Sequence, residues 1–87
     1  MAQDVKLPKI DFSTFVASLS SSALVQLGQI EEPTSKKMEK NLPMAKYTID
    51  IIVMLQEKTK NNLSKEEDVL LQSILTDLRM RYVKEIS

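Results

Sequence analysis

Residues 41–83, NLPMAKYTIDIIVMLQEKTKNNLSKEEDVLLQSILTDLRMRYV, contain most of the large apolar side chains of this 87-residue chain. Their pattern predicts two helices joined by a turn. The first helix is expected at about 42–60. Asn41 is a suitable N-cap for it, and Pro43 fits the opening turn, where its missing N–H leaves no helical bond unmade.

A turn and a second helix follow directly. Asn61 and Asn62 favour a stop, because asparagine tolerates the left-handed conformation in which many helices end. Ser64 and Glu67 have the spacing of a capping box, in which each side chain accepts a backbone N–H of the other residue. A helix is therefore predicted at about 65–84, and with residues 42–60 it forms a central helical hairpin.

The apolar arc of the 42–60 helix covers more than half of its circumference at about 100° per residue. A surface helix with one neighbour needs a stripe only about 100° wide. The helix is therefore expected to be the central one, between two neighbours. The arc comprises Met44, Ala45, Tyr47, Thr48, Ile49, Ile51, Ile52, Met54 and Leu55.

The 65–84 helix has two apolar faces. The main face, expected to pack on the 42–60 helix, comprises Leu70, Leu71, Ile74, Leu75, Leu78 and Tyr82. On the far side, within about 60° of one another, lie Val69, Thr76, Met80 and Val83. Two apolar faces on one helix favour packing of that helix against two different neighbours. The alternative is a set of scattered surface hydrophobes, which are normal on soluble proteins.

A first helix is predicted at about 11–27, between the cap Asp11 and Gly28, which stands where C-terminal glycine is enriched. Residues 12–30 carry no charge. That length approaches a bilayer crossing, but the many hydroxyl side chains and the lack of flanking anchors disfavour a membrane role. The expected core face comprises Phe12, Phe15, Val16, Leu19, Ala23 and Leu27.

The other side of the 11–27 helix has small and apolar residues, among them Ala17, Ser21, Leu24 and Val25. Small side chains would let another helix approach closely, within an oligomer or against a partner. A serine-rich surface in contact with solvent is the alternative interpretation. The pattern alone leaves both open.

The remaining segments are polar. Residues 1–10 lack the basic start and apolar run of a signal peptide and are expected to be a flexible lead-in. Residues 11–87 are expected to form one helical domain. Within it, residues 29–40 form a charged, mobile linker to which we assign no binding role.

Composition excludes several classes of function. The chain has 12 basic and 12 acidic residues, and this balance gives little attraction to nucleic acid or acidic membranes. It contains no cysteine, hence no disulfide or thiolate, as is usual in a reducing cytoplasm. It also contains no histidine, the commonest general base near neutral pH. We expect no catalytic, cofactor-binding or metal-binding site and no small-molecule substrate.

The polar residues with suggestive neighbours have ordinary interpretations. Lys46 with Asp50, and Asp77 with Arg81, have the spacing of surface ion pairs on a helix. Cations in the last turns of the 65–84 helix complement the helix dipole. An RNA-binding surface is the competing hypothesis for the basic residues Lys58, Lys60, Arg79, Arg81 and Lys84.

Three segments, in the same order, resemble a family of short bacterial proteins known only as a domain of unknown function: DFSTFVASLSSSALVQLG (11–28), NLPMAKYTIDIIVMLQEKTKNNLSKEE (41–67) and LTDLRMRYV (75–83). The resemblance implies a small, helical, bacterial, cytoplasmic protein. It supplies no activity and no catalytic residue. The chain departs from the family in the linker, which lacks a glycine often present there.

Together these observations predict an all-α, three-helix protein that is completed by oligomerisation. The favoured function is a non-enzymatic interaction module that self-associates or binds a protein partner. The candidate interface residues are Ala17, Leu24, Val69, Thr76, Met80 and Val83. The alternative is an RNA- or ribosome-associated accessory protein that uses the basic residues named above.

Overall fold

The computed structural model describes residue 7 and residues 9–87. Those residues form three helices: α1 (Phe12–Gln26), α2 (Leu42–Lys58) and α3 (Lys65–Ile86). The all-α prediction and the order of the helices are confirmed. The expected lead-in, residues 1–10, lies mostly outside the described residues.

Each helix begins at a side-chain cap. The Thr14 N–H donates to Asp11 Oδ1 at 2.7 Å, and the Met44 N–H donates to Asn41 Oδ1 at 3.1 Å. These bonds satisfy N–H groups that have no partner within the helix. The bond from Thr14 also lowers the pKa of Asp11, because it stabilises the charged carboxylate.

The capping box at the start of α3 is complete. The Glu67 N–H donates to Ser64 Oγ at 3.1 Å, and the Ser64 N–H donates to Glu67 Oε1 at 2.8 Å. Glu66 and Asp68 add negative charge to the first turn, next to the positive end of the helix dipole. The predicted start of α3 at Lys65 is confirmed.

One residue with a left-handed backbone conformation follows α1, and another lies in the turn that follows α2. Gly28, at φ 75°, follows α1. Its N–H donates to Val25 O at 3.0 Å, and the Gln29 N–H donates to Leu24 O at 2.9 Å, the two bonds of a Schellman motif. Asn61, at φ 70°, reverses the chain in the hairpin turn as predicted.

Two helix ends differ from the prediction. α2 ends at Lys58 instead of about Lys60. At that point the Thr59 hydroxyl donates to Leu55 O at 2.6 Å and competes with the helical pattern. α3 continues to Ile86 instead of about Lys84. There the Ser87 hydroxyl donates to the Val83 carbonyl at 2.7 Å.

All three pairs of helices are in contact, so the helices form a triangle. α2 therefore touches two neighbours, as its wide arc predicted. α1 and α3 also pack on one another. The buried core comprises Val16 and Ala23 of α1 with Leu27 at its C-cap; Ala45, Ile49 and Ile52 of α2; and Leu71, Leu75 and Leu78 of α3.

Four residues assigned to the core by the sequence pattern are exposed instead. On α1, Phe15 is 51% exposed, and Val16, its neighbour, takes the buried position. On α2, Met44, Tyr47 and Met54 are exposed. In a triangle each helix buries only the arc between its two neighbours, and these side chains lie beyond that arc.

The linker between α1 and α2 is organised by its own polar side chains. Glu32 Oε1 accepts the Ser35 N–H at 2.7 Å, and the Ser35 hydroxyl donates to Glu39 Oε2 at 2.6 Å. The Glu32 N–H also donates to Lys37 O at 2.9 Å. Lys36 lies between these contacts at φ 59°, in the left-handed region. Hydrogen bonds within residues 32–39 therefore hold this part of the linker in a turn.

Candidate functional site

The far side of α3 exposes a line of apolar side chains, here called the α3 stripe: Val69, Thr76, Met80 and Val83. Val69 is 55% exposed, Met80 67% and Val83 57%. The predicted separation of α3 into two faces is confirmed, since Leu71, Leu75 and Leu78 on the other side are buried.

The surface of the α3 stripe is grooved. Ser73 lies between Val69 and Thr76, and its small side chain leaves a shallow depression that Met80 also lines. Residues 69, 73, 76, 80 and 83 recur at intervals of four and three, the spacing of the contact positions of a coiled coil. The α3 stripe thus has both protruding large side chains and a depression, at Ser73, along one line.

The other two candidate interface residues do not join this stripe. Ala17 is exposed on α1, and α1 packs on the core side of α3, opposite to the stripe. Leu24 is only partly exposed and packs against the core. One partner helix cannot cover the α3 stripe and Ala17 at once.

A second exposed apolar line, missed as a surface by sequence reasoning, runs along α2. This α2 stripe consists of Met44, Tyr47, the half-buried Ile51, and Met54. Tyr47 is 61% exposed. Spacings of three, four and three residues were the available signal, but the stripe is continuous with the core arc, so the pattern alone did not separate the two.

A polar cluster joins the end of α1 to the end of α3. Gln29 accepts a hydrogen bond from Arg81 Nη1 at 3.0 Å, and its amide nitrogen donates to Glu85 Oε2 at 3.3 Å. Glu85 also forms an ion pair with Lys40. Chiefly through the bond from Lys40, the pKa of Glu85 lies below its usual value. Sequence reasoning missed this cluster, whose members are far apart in the chain.

Two predicted ion pairs are present on the surface. Lys46 Nζ lies 3.0 Å from Asp50 Oδ2, and the hydrogen bond between them raises the pKa of Lys46. Arg81 Nε lies 2.8 Å from Asp77 Oδ2. Exposed pairs of this kind contribute little to stability.

The basic residues of the RNA hypothesis lie at two ends of the molecule. Lys58 and Lys60 are beside the hairpin turn. Arg79 and Lys84 are in the last turns of α3, about 20–30 Å away by the rise of the helix. Arg81 bonds to Asp77 and Gln29. The geometry does not gather these cations into one surface.

One buried polar contact links α1 to α2. Thr48 is 4% exposed, and its hydroxyl donates to Gln26 Oε1 at 2.7 Å. A buried hydroxyl needs such a partner to offset the loss of water. The Thr48 hydroxyl thus has its hydrogen-bond partner within the protein, and we assign the contact a role in helix packing.

A cleft at the hairpin turn is lined by polar residues that include Gln56, Lys60 and Asp68. Among residue 7 and residues 9–87, no group of three or more acidic side chains is placed to hold a metal ion. None of the helices in that part of the chain is both long and apolar enough to cross a membrane.

Comparison with known proteins identifies one family. The model of a family described as a domain of unknown function, DUF1844, matches residues 9–84. No match was found among curated proteins or among solved structures. The matched range includes all of α1, α2 and the linker and nearly all of α3.

Proposed function

We propose that this chain, which belongs to the DUF1844 family of unknown function, is a non-enzymatic interaction module that associates with further copies of itself through an exposed apolar face. The proposal is supported chiefly by the α3 stripe. Its three large side chains stand in one line on a helix whose opposite face already fills the core. Contiguous exposed apolar surface on a small protein is typical of an interaction site.

The energetics favour covering this surface. Removing apolar area from water yields about 25 cal/mol per Å². Val69, Met80 and Val83 are each more than half exposed, so each can still lose substantial apolar area. A chain of this size also removes a smaller share of its surface from water on folding than a large domain does. Association would therefore remove further apolar area from water, in addition to the area that the modest core already buries.

The α2 stripe gives the module a second apolar face. Tyr47 and Met54 lie on a different helix from the α3 stripe. Two separate faces allow assembly beyond a dimer, or a second protein partner alongside the self-association.

The absence of an enzymatic activity is part of the proposal and is supported by composition. The chain has neither histidine nor cysteine, the side chains that most often serve as general base and nucleophile near neutral pH. We place the protein in the bacterial cytoplasm, which accords with the lack of cysteine and with the family that the sequence resembles.

Light scattering across a concentration series, from low to high micromolar, tests self-association. The parent is expected to increase in mass with concentration. Met80→Glu/Val83→Glu places two charges on the α3 stripe and should remain helical by circular dichroism while staying monomeric. A parent that is monomeric throughout the series refutes the proposal.

A matched variant controls for net charge. Lys60→Gln/Asn62→Glu changes the formal charge by the same amount, but at exposed positions of the hairpin region. It should associate like the parent. Salt then separates apolar association from the RNA hypothesis, because binding to phosphates weakens steeply with salt whereas apolar contacts do not.

A further inference from the structure

We infer that α3 pairs with α3 of a second copy in antiparallel orientation, with the two-fold axis crossing the α3 stripe at the level of residues 74 and 75. This inference rests on the proposed self-association and adds its geometry. The orientation is inferred from the exposed charged residues beside the α3 stripe, because their positions distinguish antiparallel from parallel pairing.

One flank of the stripe has an acid near its start and a base near its end. Glu66 and Lys84 are both exposed. They are 18 residues apart, and at about 3.6 residues per turn this is five full turns, so they point in the same direction from the helix. Neither is in an ion pair in the part of the chain that the structure describes.

The other flank repeats this order of charges. Asp68 and Arg79 are exposed and lie about 20° apart around the helix, on the side of the stripe away from Glu66. Asp68 accepts a hydrogen bond from Gln72 at 3.1 Å. Arg79 has no ion-pair partner within the described ranges.

Antiparallel pairing makes both flanks complementary. Each flank then meets the same flank of the partner in reverse, so Glu66 faces the partner's Lys84, and Asp68 faces the partner's Arg79. The two pairs are centred at about residues 75 and 73.5, a difference of about 2 Å along the helix. Parallel pairing would instead place the acidic Glu66 beside the partner's Asp68 and the basic Lys84 on the same side as the partner's Arg79, about 8 Å along the helix, which costs energy.

The same register also fits the apolar contacts. Val69 meets the partner's Met80, so large apolar side chains pack on one another at both ends, and Ser73 meets the partner's Thr76, so small side chains meet near the axis and let the helices approach closely. Lys65 lies at the end of the seam, where its long stem can extend over apolar surface while its amine stays in water. Four ion pairs and the apolar stripe thus share one axis.

The expected contact is small. From Glu66 to Lys84 the seam is about 27 Å long. Two helices in contact over that length bury an area near the lower limit for specific interfaces, about 1,000 Å² in total. We therefore expect a dimer with a micromolar Kd, whose exposed ion pairs are screened by salt while its apolar contacts are not, so that its affinity falls less steeply with salt than phosphate binding does.

Charge reversal tests the pairing, with Kd measured by sedimentation at low ionic strength. Glu66→Lys and Lys84→Glu should each raise the Kd about three- to tenfold, because each turns two attractions into repulsions. The double variant, Glu66→Lys with Lys84→Glu, restores the attraction in reverse and should return the Kd to within about twofold of the parental value.

Matched substitutions control for charge alone. Glu57→Lys and Lys58→Glu make the same charge changes at exposed positions of α2 and should leave the Kd unchanged. Since Glu66 also serves the first turn of α3, circular dichroism must show parental helicity in each variant. If Glu66→Lys unfolds, reversal at Asp68 and Arg79 provides the same cycle on the other flank.

Introduced cysteines give an independent measure of orientation, since the chain has none of its own. Val69→Cys and Met80→Cys should form few disulfides separately and cross-link efficiently when the two proteins are mixed. Efficient cross-linking of each variant with itself would overturn the antiparallel arrangement, as would a double charge variant that is no tighter than the singles. A strictly monomeric parent would refute self-association, and with it the proposed function.

Discussion

Replacement of Ile52 by alanine tests the packing of the core most directly. Ile52 is fully buried on α2, and α2 contacts both α1 and α3. The substitution removes three carbons and leaves a cavity between three helices. Since each helix is also held by the other two, the helices are poorly able to move together and close that cavity.

The expected loss of stability follows from the lost burial and the cavity. Three buried carbons contribute about 2.4 kcal/mol at about 0.8 kcal/mol each. A residual cavity raises the total to about 3–4 kcal/mol, within the range for buried Ile→Ala changes. A chain of 87 residues has a total stability of about 4–13 kcal/mol, so the change removes a large share of it.

Urea unfolding at low micromolar concentration, followed by circular dichroism, measures the loss. With a slope of about 1–1.5 kcal/mol/M, the midpoint should fall by about 2–4 M at unchanged slope. Met54→Ala, on the same helix but exposed, should cost less than about 1 kcal/mol. Equal losses for the two variants would refute the assignment of Ile52 to the core and of Met54 to the surface.

Three further predictions concern the helix ends. Ser64→Ala removes the capping oxygen of α3 and should cost about 0.5–2 kcal/mol in urea unfolding; an unchanged midpoint would contradict the role of the capping box. Gly28→Ala should cost about 1–2 kcal/mol, because φ is 75° and the new Cβ would meet Lys40 Cβ at 3.3 Å; Gly28→Asn should cost less. Because the pKa of Glu85 is lowered in the folded state, its contribution is present above the unfolded pKa, about 4.3, and disappears as pH falls through the lower folded value. Glu85→Gln should therefore reduce the loss of stability on acidification below that pH, and equal acid profiles would count against the cluster.

Local signals made the helix starts predictable. Asp11, Asn41 and Ser64 each cap a helix through a bond to a residue three positions later. Such a bond depends on nearby sequence alone. The left-handed positions Gly28 and Asn61 were predictable for the same reason, since few residue types tolerate that conformation.

The allocation of apolar residues between core and surface was less predictable. On α1 the absence of charge removes the contrast between a wet and a dry face, so Phe15 and Val16 were equally good candidates for burial. On α2 the arc was wide enough to contain both core and surface residues, and the contact of α1 with α3 determined how much of it was covered. These outcomes depend on three-helix geometry, which no single periodicity contains.

The α3 stripe was predictable because charged residues separate it from the buried face. Met80 and Val83 stand across the helix from Leu71 and Leu78, and the structure exposes the first pair and buries the second. The cluster around Glu85 was not predictable, since Gln29 lies 56 residues before it.

That separation between Gln29 and Glu85 also bears on the order in which the chain folds. α2 and α3 are neighbours in sequence and can meet across a short turn, whereas the Gln29–Glu85 contact requires closure of a much longer loop, which costs more entropy. Exposed polar bonds repay little of that cost, so this contact should form after the transition state. A change at Glu85 would then alter the unfolding rate and leave the refolding rate nearly constant, which stopped-flow measurements in urea can establish. The cluster would thus determine how long the assembled molecule persists and have little influence on how quickly it forms.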